Sequence, residues 1–270
     1  MARIQSISDP DYVDSQYRNS DNLNARIRLH QECSTNKYGW QRWIFDKFSF
    51  EPQAHILELG CGAGNLWLEN LVRISEGLNI VLSDHSAGMV EQARENLGDV
   101  IPTLQFNVID AQYIPFETDS FDILIANHML YHLPDMEKGL AEIRRVLKPT
   151  GYFYATTIGC HHLKELEDLI SRFDARLSSW GQLPTDSFTL ETGASILGNY
   201  FENVSIDRYS DSFLVSDVKL LVDYVFSGRL ELTPDQRENL AQFIEQAMLS
   251  QQDKIHITKD SGIFLATGVK

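Results

Sequence analysis

Cysteine is scarce in this chain: Cys33, Cys61 and Cys160 are three among 270 residues, an odd number with no C-x-x-C pair. That argues against a disulfide framework and a structural zinc, and it predicts a reducing, cytoplasmic setting. Long apolar runs are missing as well. No stretch approaches the ~20 residues that a bilayer crossing requires, so no membrane span is expected. Met1–Val13 is too polar to read as a secretory leader. Basic residues are outnumbered, 23 Lys and Arg against 38 Asp and Glu, for a net charge of −15. Such a surface disfavours nucleic acid, whose phosphates require clustered cations. One exception is local: residues 1–50 hold seven Lys and Arg against six Asp and Glu, with Arg18, Arg26, Arg28 and Arg42 as a basic cluster. Repeats and low-complexity linkers are also absent.

What is present is an ordinary globular composition, 43% hydrophobic and 10% aromatic, able to bury a substantial core. From His55 onward, apolar runs alternate with amphipathic stretches, the pattern of a doubly wound parallel sheet. Strands are expected at Ala54–Leu59, Asn79–Ser83, Thr103–Ile109, Phe121–Ala126, Tyr152–Thr157 and Asn203–Tyr209. Helices are expected at Leu66–Ile74, Gly88–Asn96 (with Ser86 as cap), Glu137–Leu147, Leu163–Leu177, Leu190–Tyr200, Val218–Phe226 and Pro234–Leu249. Asn22–Gln31 and Tyr38–Phe48 read as helices ahead of the sheet. Ile255–Thr258 and Ile263–Thr267, around Asp260-Ser261-Gly262, read as a closing strand or hairpin.

The most informative stretch is Ile56-Leu57-Glu58-Leu59-Gly60-Cys61-Gly62-Ala63-Gly64-Asn65. It reads as a buried strand that ends in a loop from which side chains are excluded, so a ligand can lie against bare backbone ahead of a helix N-terminus. Dinucleotide sites use G-x-G-x-x-G here, but this chain has Asn65 at the last position and Glu58 just before the glycines. A carboxylate there repels a pyrophosphate and suits a positively charged ligand. In an open parallel sheet, ligands gather at the carboxyl ends of the strands. Those ends deliver Glu58 and the glycines, then Asp84-His85-Ser86, Asp110-Ala111, Asn127-His128-Met129-Leu130-Tyr131-His132 and Thr156-Thr157.

Five segments in order, ILELGCGAG, VLSDHSAGMVEQA, VIDAQYIPF, FDILIANHMLYHLPD and EIRRVLKPTGYF, resemble the class I S-adenosylmethionine-dependent methyltransferases. The likeness covers roughly residues 52–158, and within that superfamily it points to the small-molecule branch of ubiquinone/menaquinone methyltransferases. It implies a Rossmann-like, mostly parallel seven-stranded sheet with an antiparallel last strand and helical lid elements. Residues 1–50 would form an N-terminal helical lid, and residues 51–270 the S-adenosyl-L-methionine-binding domain, with a helical insertion at about 213–250. The resemblance also implies roles for matching positions. Gly60, Cys61, Gly62 and Gly64 would cradle the methionine part, and Glu58 would stand near its ammonium. Asp84, followed by His85, would take the ribose hydroxyls, Met89 would pack near the adenine, and Asp110 and Ala111 would take the adenine amino group. Asn127 would offer an acceptor to the ammonium. The chain departs from its relatives at Thr150, where a second glycine is common, at the end of the sheet opposite the site.

Methyl transfer from a sulfonium chiefly requires in-line positioning, with a base only if the acceptor must lose a proton. His128, Tyr131 and His132 stand at the right strand end, with His128 as the base candidate and His132 open to either catalysis or loop fixing. His161 and His162 either join this set or begin the next helix. The H-x-x-x-H spacing of His128 and His132 puts both on one face if the segment is helical, but no third ligand stands at a recognisable spacing, so no metal is expected. Trp43 and Phe45 read as anchors of their helix, whereas Tyr12 and Tyr17 read as lid residues over a small organic acceptor. The expected protein is a monomer or homodimer that methylates an O, N or C atom of a small metabolite. The competing readings are an NAD(P)-dependent oxidoreductase and a non-catalytic S-adenosylmethionine-binding module.

Overall fold

The structure, a computed structural model, describes residues 3–4, 6–9, 21–101, 104–178, 182–228, 230–249 and 254–270. Its frame is a seven-stranded sheet. A short strand β1 (Arg3–Ile4) lies outside it, followed by helices α1 (Asp21–Cys33) and α2 (Trp40–Phe45). The sheet strands are β2 (His55–Leu59), β3 (Asn79–Asp84), β4 (Gln105–Val108), β5 (Phe121–Asn127), β6 (Leu147–Ile158), β7 (Phe201–Val215) and β9 (Ile255–Val269), and β8 (Leu230–Glu231) pairs with β1. The sheet order is β4-β3-β2-β5-β6-β9-β7, with β9 antiparallel to both its neighbours and the other pairings parallel. This is the architecture the sequence implies. Chain order reverses between β2 and β5, so the switch-point crevice opens at Leu59 and Asn127.

Successive side chains of a strand point to opposite faces, and both faces here are covered. Leu57, Leu59, Leu124 and Ala126 join one apolar cluster with Ile143, Val146 and Phe153. Ile56, Ile123 and Ile125 join the other with Ile80 and Trp67. Helices α4 (Ala87–Leu97) and α5 (Met136–Val146) start where side chains cap them, Ser86 Oγ accepting from Met89 N and Asp135 Oδ1 from Lys138 N. A third apolar cluster lies beyond the sheet core. There α1, α6 (Lys164–Phe173), α8 (Val218–Phe226) and α9 (Pro234–Leu249) pack on Phe213, Val215, Ile255 and Ile257 of the long strands β7 and β9.

Several expectations need correction. Leu66–Ile74 is not one helix but a four-residue α3 (Asn65–Leu68) and a 3-10 turn at Leu71–Arg73. Buried Asn70 turns its Nδ2 back onto Leu66 O at 2.8 Å, so the side chain competes with the helical ladder. The loop is therefore not followed by a helix long enough to supply a strong dipole. Leu190–Tyr200 is helical only over α7 (Gly193–Leu197), because Thr189 and Thr192 bond each other in a turn ahead of it. Asp260-Ser261-Gly262 is no turn: β9 pairs residue by residue with β7, from Val215↔Ile255 to Phe201↔Val269. Gly262 is small because a Cβ there would stand 2.6 Å from Asp207 O. β7 likewise runs well past the expected Asn203–Tyr209.

Candidate active site

Two cavities meet at the carboxyl ends of the strands. The smaller, about 430 Å³, is lined at its polar wall by Glu58, Asp84 and Asp110, with Gly60, Gly62 and Asn127 beside them. Among its described lining residues there is no Lys or Arg. Gly60 and Gly62 hold φ of 69° and 54°, the left-handed region that disfavours a side chain, and a Cβ on Gly60 would lie 2.8 Å from Met129 Cβ. The backbone is bare there because nothing else fits.

Glu58 is only 2% exposed. Its Oε2 accepts from Trp67 Nε1 at 2.6 Å and its Oε1 from Asn127 Nδ2 at 3.0 Å, a bond that spans the switch point. Burial pushes its pKa up to about 7, with the Asp84 charge adding to the rise and the two donors opposing it. The ionised carboxylate only accepts, so in that form the Asn127 amide faces it with nitrogen. That leaves Asn127 Oδ1 buried with no hydrogen-bond partner. Asp84 Oδ2 accepts from Gly62 N at 3.0 Å and Oδ1 from Ser86 N at 2.9 Å. Burial raises the Asp84 pKa while these amides hold it down. Asp110 Oδ1 accepts from Gln112 N at 2.9 Å and from Gln112 Nε2 at 3.1 Å, which fixes the carboxylate at the end of its loop.

The larger cavity, about 610 Å³, lies under α1 and α2. Both cavities are lined by Trp40, Gln41, Asn65, His128 and His132, which form a common wall. His128 has φ of 50°, held by its N–H to Thr156 Oγ1 at 3.0 Å, and its ring lies 5.2 Å from that of Trp40. A non-glycine residue in this region is strained, and the strain aims the imidazole at the junction. Burial lowers its pKa to about 4, helped by His132 and Lys259. His132 Nδ1 lies 2.9 Å from Ile7 O; a carbonyl accepts, so this nitrogen carries the proton. Ile7 lines the larger cavity and Ser8 the smaller, so His132 ties a crossing segment to both.

Of the sequence-expected cofactor residues, Glu58, Gly60, Cys61, Gly62, Asp84, His85, Asp110, Ala111 and Asn127 line the smaller cavity, whereas Gly64 and Met89 do not. Gly64 instead packs on α4, where a Cβ would meet Leu97 Cδ1 at 2.8 Å, and Met89 is fully buried. Buried Cys61 has its thiol pKa pushed well up by desolvation, so it is a wall and not a nucleophile. His128 precedes the 3-10 turn Leu130–His132, so it does not share a helical face with His132. Tyr131 lines the larger cavity only. His161 and His162 lie in the turn before α6, and His162 lines the larger cavity. Trp43 stacks on Trp40, and Phe45 is buried against Trp67. Tyr12 and Tyr17 lie outside the described residues. The sequence reading missed Trp67, His30 and Lys259, since nothing local reveals that Trp67 bonds Glu58 or that β9 brings Lys259 to this wall.

Residues 57–155 match the family model described as a methyltransferase domain. The chain is 32% identical over 115 residues to a demethylmenaquinone methyltransferase of Desulfitobacterium hafniense, covering 42% of this chain and 46% of that protein. It is also 32% identical over 151 residues to a highly reducing polyketide synthase, easB, of Emericella nidulans, covering 52% of this chain but 6% of that protein. It thus spans less than half the length of either relative. The crystal structure of the [4+2]-cyclase SpnF superposes with a TM-score of 0.60 at 14% identity, covering 99% of this chain and 98% of that one. That likeness concerns the fold alone, on which different reactions are carried. Among the described residues, no helix is long and apolar enough to cross a membrane.

Proposed function

We propose that this protein transfers a methyl group from S-adenosylmethionine, held in the smaller cavity, to a small organic acceptor in the larger one. The observation that carries this reading is the charge of the smaller cavity. Three carboxylates and no described Lys or Arg suit a ligand with two positive centres and repel the pyrophosphate of a dinucleotide. The orphaned Asn127 Oδ1 is a second fit: a buried acceptor without a donor costs free energy until an ammonium reaches it. When bound, S-adenosylmethionine supplies a methyl group on a sulfonium, whose S–C electron pair returns to sulfur as the new bond forms.

The chain's own residues bind and orient. Each Asp84 oxygen already accepts one backbone N–H and keeps a lone pair for a ribose hydroxyl. Asp110 and Ala111 stand at the adenine end, and Glu58 with Asn127 at the ammonium end. His128 is the acceptor-side base: burial keeps its imidazole uncharged with a lone pair available at neutral pH, while a pKa of about 4 makes it a weaker base than a free imidazole. The described parts of residues 1–50 act as a lid, in which Ile7 O accepts from His132 Nδ1. A small acceptor agrees with the quinone named for the Desulfitobacterium relative and with a cavity of about 610 Å³.

The test is transfer of label from methyl-labelled S-adenosylmethionine to a small-molecule cell extract. Asp84→Ala should weaken donor binding about tenfold or more, through loss of charge-assisted hydrogen bonds. His128→Ala should lower kcat more than it weakens donor binding. Unchanged donor affinity in Asp84→Ala removes Asp84 from the site.

A further inference from the structure

The larger cavity carries the opposite charge from the rest of the protein. Its described lining includes Arg26, Lys37, Arg42 and Lys259 against one carboxylate, Glu69, in a chain of net charge −15. The cations are graded by depth: Lys37 and Arg42 are exposed, Arg26 is half-buried and Lys259 is buried. A cleft lined by one sign of charge focuses the field and draws in ligands of the other sign.

Lys259 is the centre of the deep end. Its ammonium donates to Asp211 Oδ2 and to Ser34 Oγ at 3.0 Å, and it sits 4.7 Å from the Phe213 ring centroid. An ammonium has three protons, so one donor remains on a side chain that lines the cavity. His30, His128 and His162 line the same cavity as Lys259. His162 Nδ1 accepts from Asp260 N at 3.2 Å, so its proton is on Nε2, a further neutral donor. Arg26 Nε donates to Ser227 Oγ at 3.2 Å and its guanidinium also donates to the Ser227 carbonyl, which holds the side chain against α8 at the cavity wall. Even with Asp211 set against Lys259, cations outnumber carboxylates among the described residues around this cavity.

We propose that the methyl acceptor is a small organic anion, its negative group received by Lys259 and Arg26 and its methylated atom turned toward His128. Neither Lys259 nor Arg26 lines the smaller cavity, so the anion is held away from the wall shared with the donor site. Trp40 and Tyr131 supply flat apolar surface along the body of the acceptor. The inference rests on the methyl-transfer reading and specifies its substrate class.

The experiment separates a small-molecule cell extract by ion exchange into anionic, neutral and cationic pools before reaction. Each pool is then incubated with the full chain and methyl-labelled S-adenosylmethionine. Label is expected in products of the anionic pool. In that pool, Lys259→Gln and Arg26→Gln should each raise the acceptor KM at least tenfold while S-adenosylhomocysteine affinity stays within twofold. Arg26→Gln keeps the test decisive if loss of the buried Lys259–Asp211 pair unfolds the first variant. Label confined to the neutral or cationic pool overturns the anionic acceptor and leaves methyl transfer standing. Absence of label in all three pools overturns both.

Discussion

The two cavities share a wall and are built as electrostatic opposites. The smaller is lined by carboxylates whose pKa values are raised, Glu58 to about 7 and Asp84 in the same direction, because burial penalises their negative charge. The larger is lined by bases whose pKa values are lowered, His128 to about 4 and His162 to about 3, because burial penalises positive charge. Desolvation comes first in all four, and only the chemistry of the side chain sets the sign. A sheet crevice can therefore hold a cationic donor and an anionic acceptor a few residues apart, with His128 between them. The described lining of each cavity carries an excess of one sign of charge, which a ligand of the opposite sign complements.

The largest expected effect breaks the acidic side. Glu58→Ala strips the acceptor from Trp67 Nε1 and Asn127 Nδ2, two donors at the buried carboxylate. At about 1–3 kcal/mol for each unsatisfied donor, urea unfolding should show a loss of about 2–6 kcal/mol. A loss below about 1 kcal/mol contradicts the network. Acid should break the basic side next. His30, His128 and His162 have folded-state pKa values below the ordinary 6.5. The unfolded chain therefore binds more protons, and this stability is fully present above pH 6.5 and lost as pH falls through about 4. The thermal midpoint should drop by about 5–10 °C from pH 7 to pH 4.5, and His162→Asn should flatten the decline. An equal slope in wild type and variant counts against buried neutral imidazoles.

Gly60→Ala sharpens the comparison from the backbone side. A Cβ at φ of 69° and 2.8 Å from Met129 Cβ should cost about 1–3 kcal/mol and weaken the donor more than the acceptor. The smallest effect is in pH and binding. With a Glu58 pKa of about 7, the ionised fraction grows about tenfold from pH 6 to pH 8, so donor affinity should rise by up to about tenfold. Glu58→Gln should bind the donor with no such slope, and titration calorimetry at three pH values checks it.

The acidic cavity was legible in the sequence and the basic one only in part, through Arg26, Arg42 and His162, for a physical reason. Glu58, Asp84, Asp110 and Asn127 sit at the ends of successive strands, where local periodicity places them without any long-range information. Lys259, His30, Arg26 and His162 come from β9, α1 and the turn before α6, and only the tertiary fold brings them together. The same distinction separates the elements. Val218–Phe226 and Pro234–Leu249 match their expected bounds because caps and amphipathic spacing are local. Asp260-Ser261-Gly262 reads as a turn by composition, yet it is strand because β7 pairs across it, and tertiary context outweighs propensity. Met89 and Gly64 show the reverse limit: both stand at family positions, but neither lines the cavity. The charge of the second cavity runs against the whole chain, and composition shows only part of it, the local run of basic residues that includes Arg26 and Arg42.

The most direct measurement is calorimetric titration of the full chain with S-adenosylmethionine and, separately, with NADH. The account predicts one-site binding of S-adenosylmethionine, displaced by S-adenosylhomocysteine, and no binding of NADH to the carboxylate-lined cavity. Saturable NADH binding with no heat from S-adenosylmethionine would contradict it.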